Sequence, residues 1–63
     1  MATDTLTDRQ RQVLELFLSG LTYKEVATAL GISPETVNPH LKVIARKMGT
    51  NRISREVLRQ MYK

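Results

Sequence analysis

Cysteine is absent from the 63 residues, and histidine occurs once. Without cysteine there is no disulfide and no thiolate metal site, and one histidine cannot hold a metal by itself. Membrane-crossing length is missing too, since no apolar run approaches the roughly 20 residues that span a bilayer. The opening MATDTL has neither the basic nor the apolar region of a signal peptide. Catalytic pairings are equally scarce. Ser19, Ser33 and Ser54 stand where helices end or begin, with no base beside them to activate a nucleophile. Asp4 and Asp8 fall near the start of the chain, where a negative charge suits a helix N-terminus better than acid–base work. The expectation is a soluble, cytoplasmic protein with no cofactor and no membrane partner, and not an enzyme.

Linkers, repeats and low-complexity segments are also lacking, so the chain reads as one small domain over residues 6–63 after a flexible start, 1–5. What is present is positive charge, unevenly placed. Met1 to Gly31 carries three basic residues against four acidic, and the remainder seven against two, within a net charge of +4. Such a balance points to a polyanionic partner, or to basic residues that merely solvate helices.

Helix punctuation is dense. Thr7 and Gln10 have the spacing of a capping box, and Val13, Leu14, Phe17 and Leu18 then recur at helical spacing up to the stop at Gly20. Thr22 and Glu25 repeat the box, with Leu21 and Val26 as a hydrophobic staple, and Gly31 ends this second, short helix. Only Ile32 separates Gly31 from the next cap, Ser33, a connection suited to two steeply crossing helices, the helix-turn-helix arrangement. A last helix follows a cap at Ser54 and carries Val57, Leu58, Met61 and Tyr62. The expectation places Val57 and Met61 inward, with Leu58 and Tyr62 partly outward. The fold class is therefore all-α, a compact four-helix domain containing a helix-turn-helix.

The third helix poses a problem, because Pro34 is followed by Pro39. Proline at the first helical position costs nothing, whereas an interior proline costs about 3 kcal/mol. Asn38 and Pro39 would themselves make a cap and first residue, so the helix has two candidate starts. Val37, Leu41, Ile44 and Met48 decide for one continuous helix, Pro34 to Met48, because at 100° per residue they stay within about 60° of one another across Pro39. The opposite face then carries Glu35, Pro39, Lys42 and Arg46, flanked by Asn38 and Val43. His40, about 60° off the apolar stripe, reads as a partly buried packing residue.

An outward helix of this kind fits the major groove, which is about 12 Å wide. Asn38 can pair with an adenine edge, Lys42 and Arg46 with guanine or phosphate, and Pro39 and Val43 with a thymine methyl. The starts of the second and third helices aim free N–H groups outward, and Thr22, Tyr23, Lys24, Ser33 and Thr36 add donors suited to phosphates. Arg52 is expected to tie the last connection to a carboxylate or a helix end.

The stretch LTDRQRQVLELFLSGLTYKEVATALGISPETVNPHLKVIARKMGTNR resembles the LuxR-type helix-turn-helix domain of bacterial transcription regulators. The family pattern runs approximately L-T-x-R-E-x-E/Q-V-L, G-x-x-x-K-E-I-A-x-x-L-x-I-S, then T-V-K-x-H-x-x-x-I-x-x-K-L-G-x-x-x-R. It is matched at Leu6, Thr7, Arg9, Val13, Leu14, Gly20, Lys24, Glu25, Ala27, Leu30, Ile32, Ser33, Thr36, Val37, His40, Ile44, Lys47, Gly49 and Arg52. The resemblance implies a four-helix domain whose third helix reads double-stranded DNA in the major groove. Base contacts fall at Asn38, Pro39 and Lys42, and phosphate contacts near Tyr23, Lys24 and Thr36. It also implies a homodimer through the last helix, with Leu58, Met61 and Tyr62 as candidate interface, and RNA polymerase as a further partner. Asn38 and Pro39 depart from the family's usual lysine or arginine and the residue after it, so no base preference is carried over. Gln10 replaces a common glutamate, and Arg55, Glu56 and Arg59 make the last helix more charged than the family's. The promoter-reading fourth region of sigma factors shares the L-T-x-R-Q-R-x-V-L start, although His40 and KMGTNR favour the LuxR type. A basic protein-interaction module without nucleic acid is the reading from another class. The chain leaves no room for a receiver or ligand-sensing domain, which implies a stand-alone regulator or one excised domain.

Overall fold

A computed structural model describes residues 6–62. The flexible start expected at 1–5 lies outside the described residues, as does Lys63. Helices α1 (Asp8–Leu18), α2 (Tyr23–Leu30), α3 (Pro34–Met48) and α4 (Arg55–Met61) follow one another, with no strand among the described residues. The body measures 28 × 21 × 18 Å.

Local chemistry accounts for each boundary. The Gln10 N–H donates to Thr7 Oγ1 at 3.1 Å while Gln10 Oε1 accepts from the Thr7 N–H at 3.0 Å, so both expected partners of the first capping box are in place. Thr22 and Glu25 repeat the exchange at 3.1 and 2.8 Å. Such a cap satisfies helix-end donors that have no partner within the helix, and is worth about 1 kcal/mol. Ser33 Oγ accepts from the Glu35 N–H at 3.3 Å, and Pro34 fills the first helical position without loss of a bond.

The ends of α1, α2 and α3 are closed by a shared device. After α1, the Gly20 N–H reaches the Phe17 carbonyl (3.1 Å) and the Leu21 N–H reaches Leu16 (3.4 Å); the same pattern recurs at Gly31–Ile32 and Gly49–Thr50. This is the Schellman arrangement, which requires a left-handed residue after the helix. At Gly31 (φ 69°) it turns the chain within three residues from the last turn of α2 to the cap of α3.

Three helices enclose the core, and α4 closes it. Val13, Leu14 and Phe17 of α1 meet Val26 and Ala27 of α2, and Val37, Leu41, Ile44, Ala45 and Met48 of α3, with Leu6 and Leu58 completing the cluster. The whole expected stripe of α3 is buried, and α3 runs unbroken through Pro39. Proline costs a helix most where its ring and missing N–H face packed neighbours. Here Pro39 is exposed, one turn beyond Glu35 on the outer side.

For α4 the expectation is reversed at Leu58 and Met61. Leu58 is fully buried and Met61 is 38% exposed, while Val57 and Tyr62 are half-buried. The reason is polar anchoring. Arg55 and Arg59 hydrogen-bond carbonyls at the end of α1, and the Tyr62 hydroxyl donates to Glu15 Oε2 at 2.7 Å. At 100° per residue Arg55, Leu58, Arg59 and Tyr62 share one side of the helix, within about 100°. Tethering the polar three therefore carries Leu58 inward and turns Met61 out.

Candidate nucleic-acid interface

The geometry of α3 separates two faces. Val37, Leu41, Ile44 and Met48 are within 3% of full burial, whereas Glu35, Pro39, Lys42, Val43 and Arg46 are exposed. Asn38 sits on the shoulder between them, half-buried, and His40 is half-buried on the other shoulder. The side chains of Lys42 and Arg46, one turn apart, make no hydrogen bond or ion pair with another described residue. Two cations left unpaired on a rigid helix are free to meet an external anion.

Residues at the starts of α2 and α3 add to this surface. Thr22, Tyr23, Lys24, Ser33 and Thr36 are all exposed. Thr22 and Ser33 accept through oxygen from backbone N–H groups, so each keeps its hydroxyl hydrogen for an outside acceptor. Thr36 differs, since its hydroxyl already donates to the Ser33 carbonyl at 2.7 Å. To give a hydrogen bond to phosphate it must first release that carbonyl. Tyr23 is held by its ring, 5.9 Å from that of Phe17 and tilted by 52°.

Phe17 is in turn covered by Arg55, whose guanidinium carbon lies 4.5 Å from the ring centre. The same guanidinium donates to the Phe17 and Leu21 carbonyls, each at 2.7 Å, and Arg59 donates to Leu18 at 2.6 Å. Cations are favourable where a helix ends in unpaired carbonyls, and α1 has no basic residue in its last turn. These roles of Arg55 and Arg59 are absent from the sequence reading. The signal available for them was the missing cation at the end of α1. Arg52, expected to make such a tie, instead leaves its guanidinium exposed, and its N–H bonds only Thr50 Oγ1 (3.2 Å). Gln10 keeps its capping role despite the replaced charge, and its Oε1 also accepts from Lys47 Nζ at 3.0 Å, linking α1 to α3. A groove of about 470 Å³ between α1 and the end of α2, bounded by Leu16 and Leu30, contains none of the predicted contact residues.

A short capped helix, a three-residue turn and a second helix with a buried stripe and a basic outer face define a helix-turn-helix domain. The chain matches the family described as bacterial regulatory proteins, luxR family, over residues 4–61. It is 41% identical over 59 residues to the transcriptional regulatory protein UhpA of Escherichia coli K12, covering 94% of this chain and 30% of that protein. The spore germination protein GerE of Bacillus subtilis 168 is 40% identical over 53 residues, 84% of this chain and 72% of GerE. The transcriptional regulatory protein FixJ of Rhizobium meliloti is 46% identical over 44 residues, 70% of this chain and 22% of FixJ. No solved structure matches the chain significantly. The chain therefore belongs to the luxR family of bacterial regulatory proteins and is a DNA-binding, LuxR-type helix-turn-helix domain. It spans less than a third of the length of UhpA and FixJ. No helix among the described residues is long and apolar enough to cross a membrane.

Proposed function

We propose that this domain binds duplex DNA with α3 lying in the major groove, and that it serves as the effector part of a transcription regulator. Asn38, Pro39, Lys42, Val43 and Arg46 face base edges in this reading. Thr22, Tyr23, Lys24, Ser33 and Thr36 hold phosphates beside the starts of α2 and α3, where backbone N–H groups and the helix dipole favour an anion. The supporting observation is the unpaired basic face of α3, set directly opposite its buried stripe. The function needs no catalysis, and its output passes through RNA polymerase.

A second copy of the chain is the further partner we propose, docking on α4. Leu58 is committed to the core, so the interface narrows to Met61, Tyr62 and the half-buried Val57. Met61→Glu is expected to keep protomers apart in sedimentation without unfolding them, since Met61 is 38% exposed.

Selection of bound sites from random duplexes tests the DNA reading. A defined site is expected, two-fold symmetric if α4 pairs the protomers, with affinity falling log-linearly as salt rises. Equal affinity for every duplex defeats the base contacts assigned to α3. Retention of an acidic protein, with no duplex binding at low salt, favours the protein-interaction alternative.

A further inference from the structure

Glu35 is the only acidic residue of α3, and it stands on the outward face with Pro39, Lys42 and Arg46. Its position differs from that of the capping residues Gln10 and Glu25 and is shared with Glu56, the second residue of α4. Gln10 and Glu25 occupy the third helical position, where each side chain bonds the N–H of its own cap. In α3 that third position is Thr36, and Glu35 sits one residue earlier. Its carboxylate is exposed and has no hydrogen-bond or ion-pair partner among the described residues.

A free carboxylate on a surface that meets phosphates needs a reason, because phosphate repels it. Favourable interaction with the α3 dipole supplies part of one. The major groove supplies another. Its only hydrogen-bond donors are the amines of cytosine and adenine, all its other polar atoms being acceptors. An ionised carboxylate is acceptor-only, so it can pair with those amines alone. Pro39 strengthens the bias, since it has no N–H to give the Glu35 carbonyl.

We propose that Glu35 is a specificity-determining residue, accepting a hydrogen bond from the exocyclic amine of cytosine or adenine beneath the first turn of α3. The inference rests on the DNA reading above and extends its set of base-facing residues. It gives the outer face a polarity along the helix. An acceptor lies in the first turn (Glu35), apolar surface follows at Pro39, and donors lie beyond it at Lys42 and Arg46, with Val43 on the flank. The matching strip of groove offers an amine, then a thymine methyl, then guanine acceptors or phosphate. Opposite guanine or thymine acceptors at the first position the carboxylate is left unpaired, and the cost of that unpaired charge is the source of discrimination.

The experiment is random-duplex selection with the unaltered 63-residue chain and with Glu35→Ala and Glu35→Gln, alongside thermal melting of all three. The unaltered protein is expected to select cytosine or adenine at one position of its site. Glu35→Ala should lose at least about fivefold of discrimination there and keep its preferences elsewhere. Glu35→Gln should move the same position toward adenine, which an amide recognises with both its groups. An identical base profile in all three proteins overturns the role of Glu35 whatever the melting points do, and leaves the DNA reading standing. If the unaltered protein selects no sequence, both are overturned.

Discussion

At the end of α1 the last carbonyls have too few donors within their own helix, and the side chain that supplies them comes from 38 residues further along. Arg55 donates to Phe17 and Leu21 and lies over the Phe17 ring, so one planar cation joins α1, the α1–α2 turn and α4. Lysine has neither the planar fork nor two nitrogens to do this. Arg55→Ala should therefore lower stability by about 2 kcal/mol, the scale of hydrogen bonds to a charged group. In a domain this small that is a fall in Tm of roughly 8–16 °C, with Arg55→Lys recovering only a minor part in the same melting experiment. Lys42→Ala makes the opposite pair of expectations. Having no internal partner, it should change stability by no more than about 0.5 kcal/mol, yet weaken duplex binding measured by titration. The contrast between these two cations was not legible in the sequence. Both are basic residues in the positively charged half of the chain, and only the position of the α1 carbonyls tells them apart.

Elements were legible to the extent that their limits are chemical. Thr7, Thr22 and Ser33 cap where their spacing to Gln10, Glu25 and Pro34 predicts, and the shared register of Val37 and Leu41 carries α3 through Pro39. Pro39→Ala should restore a helical hydrogen bond to the Glu35 carbonyl. The gain of up to about 3 kcal/mol for an interior proline is offset by the greater freedom of the unfolded chain, about 0.4–1 kcal/mol. A net rise in Tm is expected, and a fall would contradict an unbroken α3. The inward side of α4 was not legible. Four apolar residues in seven helical positions and a cap give two candidate faces, and Arg55, Arg59 and Tyr62 choose between them through partners on α1. Tyr62 makes part of that docking pH-dependent. Its hydrogen bond to Glu15, followed by burial and the Glu15 charge, holds the phenol pKa above its ordinary 10.0. The neutral phenol is the form that stabilises the fold, so its contribution is complete below pH 10.0 and lost as pH rises through the higher folded value. Tyr62→Phe should thus be less stable than the parent at neutral pH, and the gap between them should close in alkaline solution when melting is followed against pH.

Across the whole molecule, nine of the ten basic residues divide by what they already touch, Lys63 lying outside the described residues. Arg9, Lys47, Arg55 and Arg59 donate to carbonyls or to Gln10, and Arg11 also has an internal partner. Lys24, Lys42, Arg46 and Arg52 make no side-chain hydrogen bond or ion pair with a described residue, and all four are exposed. The excess of positive charge after Ile32 therefore overstates the charge available to a polyanion, because Arg55 and Arg59 face α1. This division sets a number for DNA binding. Each phosphate neutralised contributes about −0.9 to the slope of log K against log salt. Four free cations among the described residues thus set a limit of roughly −3 to −4 per protomer, reached only if all four meet phosphate, rather than the value of about −6 expected if all seven basic residues after Ile32 did so. Titrations at several salt concentrations, divided by the measured number of protomers on the duplex, give the quantity directly. Lys42→Ala should reduce the slope by about 1 if it meets phosphate, or leave the slope and flatten preference at one base pair if it meets guanine. Neutralising Arg59 as Arg59→Gln should leave the slope unchanged in either case, since its guanidinium is spent on the Leu18 carbonyl. A slope that falls on losing Arg59 would place α4 on the DNA, and the separation of structural from binding cations would be wrong.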